Sequence, residues 1–435
     1  VIPPAQRILL VLAAISWSGP SLDWTTRRDS LVMKPRPHVS DCLQVPMVQW
    51  PDTLRDANGK DVAALGPETR LLPPGVFPEL QYLPDEGSVL LPAPKNRLRL
   101  LMAGPGDSYL LEGTGSLGDA SWSGYTKVLS PGPKTEFDNG YAGTSGAWMD
   151  AKGTLWAFYH AEDQVGIPPM PGTEIPGYYA SIGLATSIDT GRHWTKRGPL
   201  IRTRDPKIVG DSTRTDQGAA EPGVVASPDG KWLYVDWSDH SRPENEGVRI
   251  CLSRMRIAGG TLLPASCRTW DGHGFNSPCL GGQAEPVLRG ELVLGSRWNG
   301  DALEGHPVWV PRLKRYAMVF GVWPWKGLGD SSLVGTYLAF SSDMVHWERP
   351  VRILHDLSIP VPGRSLRWEA ALLPDGTSNS TAWLVYGYSP HWPDSTGGSG
   401  HRPMLRRLKW LEGPVLEWTL PVKRPPLRPK ASTRL

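Results

Sequence analysis

Apolar residues gather along this chain in short runs broken by polar turns rich in Gly, Pro, Asn and Asp, the pattern of many short strands joined by loops. Five stretches share one layout. The first is Glu86-Gly-Ser-Val-Leu-Leu, a turn at Pro94 to Asn96, then Arg97 to Met102. The second is Gly143-Thr-Ser-Gly-Ala-Trp-Met, a turn at Asp150 to Gly153, then Leu155 to His160. The third is Glu221-Pro-Gly-Val-Val-Ala, a turn at Pro228 to Gly230, then Trp232 to Trp237. The fourth is Glu304-Gly-His-Pro-Val-Trp-Val, a turn at Arg312 to Lys314, then Tyr316 to Val322. The fifth is Glu369-Ala-Ala-Leu-Leu, a turn from Asp375, then Trp383 to Tyr388.

Each stretch predicts a hairpin: a strand of small apolar residues, a polar turn, and an aromatic-rich strand. A further strand and a Trp follow, at Trp122, Trp194, Trp270, Trp347 and Trp418. The repeat starts lie roughly 58, 77, 83 and 65 residues apart, longer than a minimal propeller blade because loops intervene. One four-stranded sheet cannot bury both its faces. Five packed radially can, leaving only short edges exposed. The expected fold is all-β, a five-bladed β-propeller of mainly four-stranded antiparallel blades over residues 81–420. Residues 21–80 lack the repeat and are expected to supply a ring-closing strand, placed near Val45 to Trp50.

Two repeats carry a turn motif. Ser187-Ile-Asp-Thr-Gly-Arg-His-Trp194 fits S-x-D-x-G-x-x-W, and Ser341-Ser-Asp343-Met-Val-His-Trp347 is a shorter relative. An Asp in such a turn accepts backbone N–H bonds while the Trp packs between strands. Asp189 and Asp343 are therefore read as structural.

Composition agrees. The chain has 48 Gly and 44 Pro, which disfavours a helical protein, and 20 Trp, which fill space between sheets or stack on sugar rings. The formal charge is +3, and Lys423, Arg424, Arg428, Lys430 and Arg434 lie in the last fifteen residues, leaving 3 − 5 = −2 for the rest. Nothing suggests a nucleic-acid groove. Residues 421–435 read as a basic, Pro-rich disordered tail. Residues 1–20, with Arg7, the apolar run Ile8 to Ala14 and small residues at Ser16 to Gly19, are expected to be a signal peptide too short to span a membrane, so the protein is expected to be secreted or periplasmic. The cysteines are Cys42, Cys251, Cys267 and Cys279. In an exported protein two disulfides are expected, with Cys267 to Cys279 the favoured pair.

A hairpin returns the end of its second strand to the edge where its first began. Glu221 should therefore share an edge with Asp239 and His240, Glu304 with Trp323, and Glu369 with His391. The second repeat brings His160, Glu162 and Asp163 to the same edge. With the first strands innermost, Glu86, Glu221, Glu304 and Glu369 collect at one mouth of the channel, with His160, His240 and His391 around it. Like charges held close do not ionise together, so one carboxyl keeps its proton while a neighbour stays charged. Such a pair suits glycoside hydrolysis. Solvated acids or a metal cage are the other readings of the same ring. No G-x-S-x-G, phosphate-binding loop, H-E-x-x-H or G-x-G-x-x-G is present.

On these residues, the stretch from about 80 to 420 resembles the five-bladed propeller glycosidases, the clans holding glycoside hydrolase families 43 and 32. The resemblance implies a general acid at Glu304 and a pKa-tuning acid at Glu221-Pro222. It implies a base or nucleophile at Asp85 or Glu86. Thr144-Ser-Gly-Ala and Asp343-Met-Val-His-Trp-Glu348 resemble further family segments. Two departures stand out: the third-blade acid is Glu where the family usually has Asp, and Asp85-Glu-Gly replaces Asp-Pro. An extra methylene shifts a carboxylate by about an ångström, enough to alter catalysis. Candidate substrate contacts are His160, His240, His391, Glu369, Trp323 and Trp368, with Trp148 and Trp237 as further stacking candidates. No cofactor is expected, beyond a calcium ion in the central channel as some relatives hold. The substrate is expected to be a glycan. A carbohydrate-binding or cell-surface propeller without catalysis is the alternative. A sialidase-like hydrolase is a second, disfavoured because it needs six blades and an arginine cluster.

Overall fold

The computed structural model describes residues 53–55, 61–80, 82–171, 174–241, 247–290, 301–323, 334–355, 364–375, 378–392 and 402–411. The chain divides into two units, Val1–Gln49 and Trp50–Leu435, and every described residue belongs to the second. The expected signal peptide, basic tail, Cys42, Trp418 and the strand near Val45 to Trp50 lie outside the described residues.

Among the described residues the architecture is all-β, with one short 3-10 turn at Leu117–Asp119. Three short strands come first: β1 (Thr53–Arg55), β2 (Asp61–Leu65) and β3 (Thr69–Arg70). Five antiparallel groups follow. The first is β4 (Val89–Leu90), β5 (Arg97–Ala103), β6 (Ser108–Thr114) and β7 (Ser121–Leu129). The second is β8 (Tyr141–Met149), β9 (Leu155–Asp163), β10 (Tyr178–Ser187) and β11 (Thr195–Ile201). The third is β12 (Asp216–Ala226), β13 (Trp232–Asp239), β14 (Arg249–Ala258) and β15 (Thr261–Trp270), with β16 (Phe275–Pro278) added outside; a short parallel pairing of β12 with β10, Tyr178 opposite Asp216, joins the second and third groups into one nine-stranded sheet. The fourth is β17 (Asp301–Val310), β18 (Arg315–Trp323), β19 (Gly335–Ser341) and β20 (Val351–His355). The fifth is β21 (Arg364–Pro374), β22 (Thr381–Trp392) and β23 (Arg402–Trp410).

The N-terminal strand completes the fifth group. β2 pairs antiparallel with β23, Ala63 opposite Trp410 and Leu65 opposite Leu408. The completing strand is thus Asp61–Leu65, later in the sequence than Val45 to Trp50. Its alternating Ala63 and Leu65 are buried, which is the physical reason it is chosen.

The first strands meet in a closed cycle: β4 touches β8, β8 touches β12, β12 touches β17, β17 touches β21, and β21 touches β4. Apolar clusters fill the spaces between successive groups. Leu101, Leu110 and Leu155 join groups one and two; Ile182, Leu184, Val235 and Trp237 join two and three. Ile250, Leu252, Met318 and Phe320 join three and four; Val319, Phe340, Leu372 and Leu384 join four and five. Leu100, Met102, Leu373 and Val385 join five to one. Each sheet therefore buries both faces against neighbours, as the repeat requires.

The motif turns behave as structural elements. Asp189 Oδ1 accepts from Ser187 Oγ at 2.8 Å and His193 N–H at 3.0 Å, while Trp194 Nε1 donates to the Gly191 carbonyl at 2.9 Å. Asp343 and Trp347 repeat the arrangement, with Trp347 Nε1 donating to the Met344 carbonyl at 2.9 Å. Cys267 and Cys279 form a disulfide. Cys251 is a free thiol buried in the core between groups two and three, and Cys42 lies outside the described residues.

Candidate active site

The site is built on β-bulges. In β12, β17 and β21 the antiparallel register slips at Ala220/Gly223, Leu303/His306 and Trp368/Ala371. Inside each slip a glutamate adopts a left-handed backbone, with φ 54° at Glu221, 59° at Glu304 and 51° at Glu369. That region costs a residue with a side chain about 1–2 kcal/mol, and bulges re-aim side chains next to functional sites. The local sequence permits the bend at two of them. Gly223 and Gly305 lie within two residues of their glutamates, and a Cβ on either would collide with the Asp236 carboxyl. In β8 the register slips at Thr144/Gly146, and Ser145 takes the corresponding place.

Backbone hydrogen bonds tie these positions together. Glu304 N–H lies 3.2 Å from Glu221 Oε2 and 3.0 Å from Ser238 Oγ, donating to both. Glu369 N–H donates to Glu304 Oε2 at 3.1 Å. Gly87 N–H donates to Ser145 Oγ at 3.1 Å. Gly87, Ser145, Glu221, Glu304, His306 and Glu369 line one gap too narrow for a water molecule, and every strand group reaches it.

Two carboxyl–imidazole pairs flank the gap. Glu86 Oε1 lies 2.6 Å from His160 Nδ1, and His160 Nε2 lies 3.7 Å from Glu162 Oε1. His240 Nε2 lies 3.6 Å from Glu221 Oε1. The Tyr178 ring stands between the pairs, its centroid 5.4 Å from His160 and 6.2 Å from His240. Tyr141 closes the other side of His160 at 5.3 Å.

The electrostatics of the two pairs differ. Burial would raise Glu221, but the nearby His240, with its Nε2 3.6 Å away, outweighs it and holds the carboxyl below its ordinary range. Burial would lower His240, but Glu221 raises it to about 9. At neutral pH this is an ion pair. Burial pushes Glu304 well above the carboxylate range, and the Glu221 charge pushes it further. Glu369 rises for the same reasons, burial first and then Glu304. Glu86 is raised well above its range by burial and then by Glu221, while burial lowers His160, so their pair is neutral. Burial also lifts Asp85 and Glu162 to about 7. The ring thus holds an ionised Glu221 against protonated Glu304, Glu369 and Glu86.

The structure brings together Glu86, Glu221, Glu304, Glu369, His160 and His240, all less than a tenth exposed. Asp85 is held through its main chain: its N–H donates to the Ala103 carbonyl, and its carbonyl accepts from Tyr141 Oη at 2.9 Å. The Trp323 and Trp368 rings lie 5.9 Å apart, and Trp323 Nε1 and Glu304 Oε2 border the space beside Gly321. Trp237 is not a stacking surface; it is buried in the core, its Nε1 donating to Ser253 Oγ at 3.1 Å. Trp148 packs at the edge of the same cluster. The His391 side chain lies outside the described residues.

Sequence reading missed Ser145, Ser238, His306 and Asp236. Asp236 is 1% exposed, and neither carboxyl oxygen has a hydrogen-bond partner. Burial holds it well above the carboxylate range, hence neutral. Its signal was a lone acid in the apolar run Trp232 to Trp237. Among the described residues no group of three or more His, Cys, Asp or Glu is arranged to hold a metal ion.

No family model matches the chain, and no curated protein does. Among solved structures it is similar to an α-L-arabinofuranosidase from Lactobacillus brevis, with TM-score 0.46, 10% identity, and 76% of this chain and 92% of that one covered. It is similar to a thermostable family-43 glycoside hydrolase, with TM-score 0.44, 12% identity, and 78% and 98% covered. It is also similar to a GH32 β-fructofuranosidase from Bombyx mori, with TM-score 0.42, 13% identity, and 74% and 59% covered.

Proposed function

We propose that the five strand groups are the blades of a five-bladed β-propeller and that the chain is a glycoside hydrolase acting on a polysaccharide or oligosaccharide. Glu304 is the general acid, Glu221 the charged carboxylate that keeps it protonated, and Glu86, beside Asp85, the base. Glu369, His240, Trp323 and Trp368 hold the sugar or the groups around it. One observation carries this assignment: left-handed glutamates at matching bulges of three first strands, one ionised and its neighbour protonated. Strain of that kind persists where the surroundings enforce it, and a neighbouring negative charge that keeps a buried carboxyl protonated suits a general acid. The chemistry needs no cofactor. The Cys267–Cys279 bridge supports a secreted or periplasmic protein. Among the described residues no helix is long and apolar enough to cross a membrane.

A propeller that binds a glycan without cutting it is favoured by a separate observation. The gap between the carboxyls has no room for even a water molecule, against roughly 300–1,000 Å³ for ordinary ligand pockets. The test is a screen of purified protein against arabinose-, xylose-, galactose- and fructose-containing glycans, reading released reducing ends and binding side by side. Release from one class supports the hydrolase, whereas binding without release supports the alternative.

A further inference from the structure

From the line Glu86–His160–Glu162 we infer that His160 and Glu162 form a proton relay, which empties Glu86 of its proton so that Glu86 can act as a base. The inference rests on the assignment of Glu86 to that role.

Glu86 is almost sealed. Its side chain is 3% exposed, and its Oε2 has no hydrogen-bond partner. A base in that position cannot trade protons with bulk water directly. Its Oε1 instead meets His160 Nδ1 at 2.6 Å, and the far nitrogen of the same ring faces Glu162 Oε1 at 3.7 Å. The side chains of the line are 3%, 5% and 12% exposed in that order, so it runs from the sealed centre toward solvent.

The strand sets this order. His160 and Glu162 are two apart on β9 and share a face. Tyr141 lies opposite Glu162 in register, and its ring fills the space a side chain at Gly143, the residue opposite His160, would need. With Tyr178 on the other side, the imidazole is clamped with one nitrogen toward each carboxyl. Glu162 is steadied by Gln164 Nε2, which donates to its Oε2 at 2.7 Å.

The step balances. The proton on Glu86 Oε1 passes to Nδ1 as the proton on Nε2 passes to a Glu162 oxygen. The ring gains one proton and loses one, switching tautomer while staying neutral, and no electron moves. Closing the 3.7 Å gap takes a small side-chain rotation of the kind that tightens catalytic contacts on substrate binding. The charged and titratable groups that face His160 are Asp85 and Glu86 before β4, Tyr141 on β8, Glu162 on its own strand and Tyr178 on β10. Glu221 on β12 and His240 after β13 act on it through their charges. Burial makes a protonated, cationic His160 unfavourable, and Glu162 at about 7 is partly charged at neutral pH, ready to accept.

The test is ring-nitrogen NMR of the full chain labelled with 15N at histidine, with His160 assigned by His160→Gln. Wild type is compared with Glu162→Gln and Glu162→Asp from pH 5 to 9. In the wild type the His160 ring should be the neutral Nε2–H tautomer, and its shifts should follow the titration of Glu162. Glu162→Gln should erase that dependence, and Glu162→Asp should restore it in part. On a cleavable glycan, Glu162→Gln should lower kcat about tenfold or more with KM within about twofold. His160 shifts indifferent to Glu162→Gln, or an unchanged kcat, would overturn the relay. The NMR arm needs no turnover, so a wild type that cuts nothing counts against the hydrolase assignment, while the spectra decide the coupling.

Discussion

The Glu221 carboxylate accepts the backbone N–H of Glu304 at 3.2 Å, so one glutamate of the ring fixes the main chain of the next. Glu304 Oε2 does the same for Glu369 at 3.1 Å. Each link restrains a residue held at positive φ. The proposed catalytic groups and the backbone strain thus lie on the same residues.

Glu369 ends this chain of bonds, and its Oε2 has no partner. Glycine there relieves the left-handed strain and removes a buried carboxyl at once. Glu369→Gly should raise stability by about 1–3 kcal/mol in a urea titration, the scale of the backbone strain that it relieves. A loss of stability would show that Glu369 makes a contact the fold depends on.

Glu221 keeps Glu304 protonated through its negative charge, after burial. Glu221→Gln removes that charge. The alkaline limb of the pH–kcat profile, where the acid loses its proton, should then move toward lower pH. A limb that stays in place would separate Glu221 from the acid.

The Glu221–His240 pair also leaves a mark on stability. His240 is raised to about 9 when folded, against about 6.5 unfolded. A raised folded value means the stabilisation is fully present below about pH 6.5 and is lost as pH rises through about 9. Its size is on the order of 3 kcal/mol. Melting scans should show the wild type losing stability across that window, and His240→Asn should flatten the decline. The protonated Glu86, Glu304 and Glu369 add to the decline at lower pH, because their folded values also lie above the unfolded ones. An equal slope in both proteins would argue against the ion pair.

Much of this arrangement was legible in the chain. The small-apolar strand, polar turn and aromatic strand recur because each blade meets the same packing problem. From that repeat follow the hairpin registers and the sharing of one edge by Glu221 and His240. What stayed hidden depends on three dimensions. The strand completing the last sheet, Asp61–Leu65, is five residues with no repeat signature, chosen by pairing with β23. The left-handed bulges add one residue to a strand without changing its composition. The opposite protonation of Glu221 and Glu304 depends on which of them has His240 beside it, a contact between side chains that hairpin register places at an edge without pairing.

Hydrolysis by Glu304→Gln against the wild type, on whichever glycan the screen identifies and with matching circular dichroism spectra, tests the central claim most directly. The substitution keeps the size of the side chain and removes its acidic proton. The expected result is a fall in kcat of about a hundredfold or more. A variant that folds and cuts at the wild-type rate would contradict the assignment of the bulged glutamates as the catalytic centre.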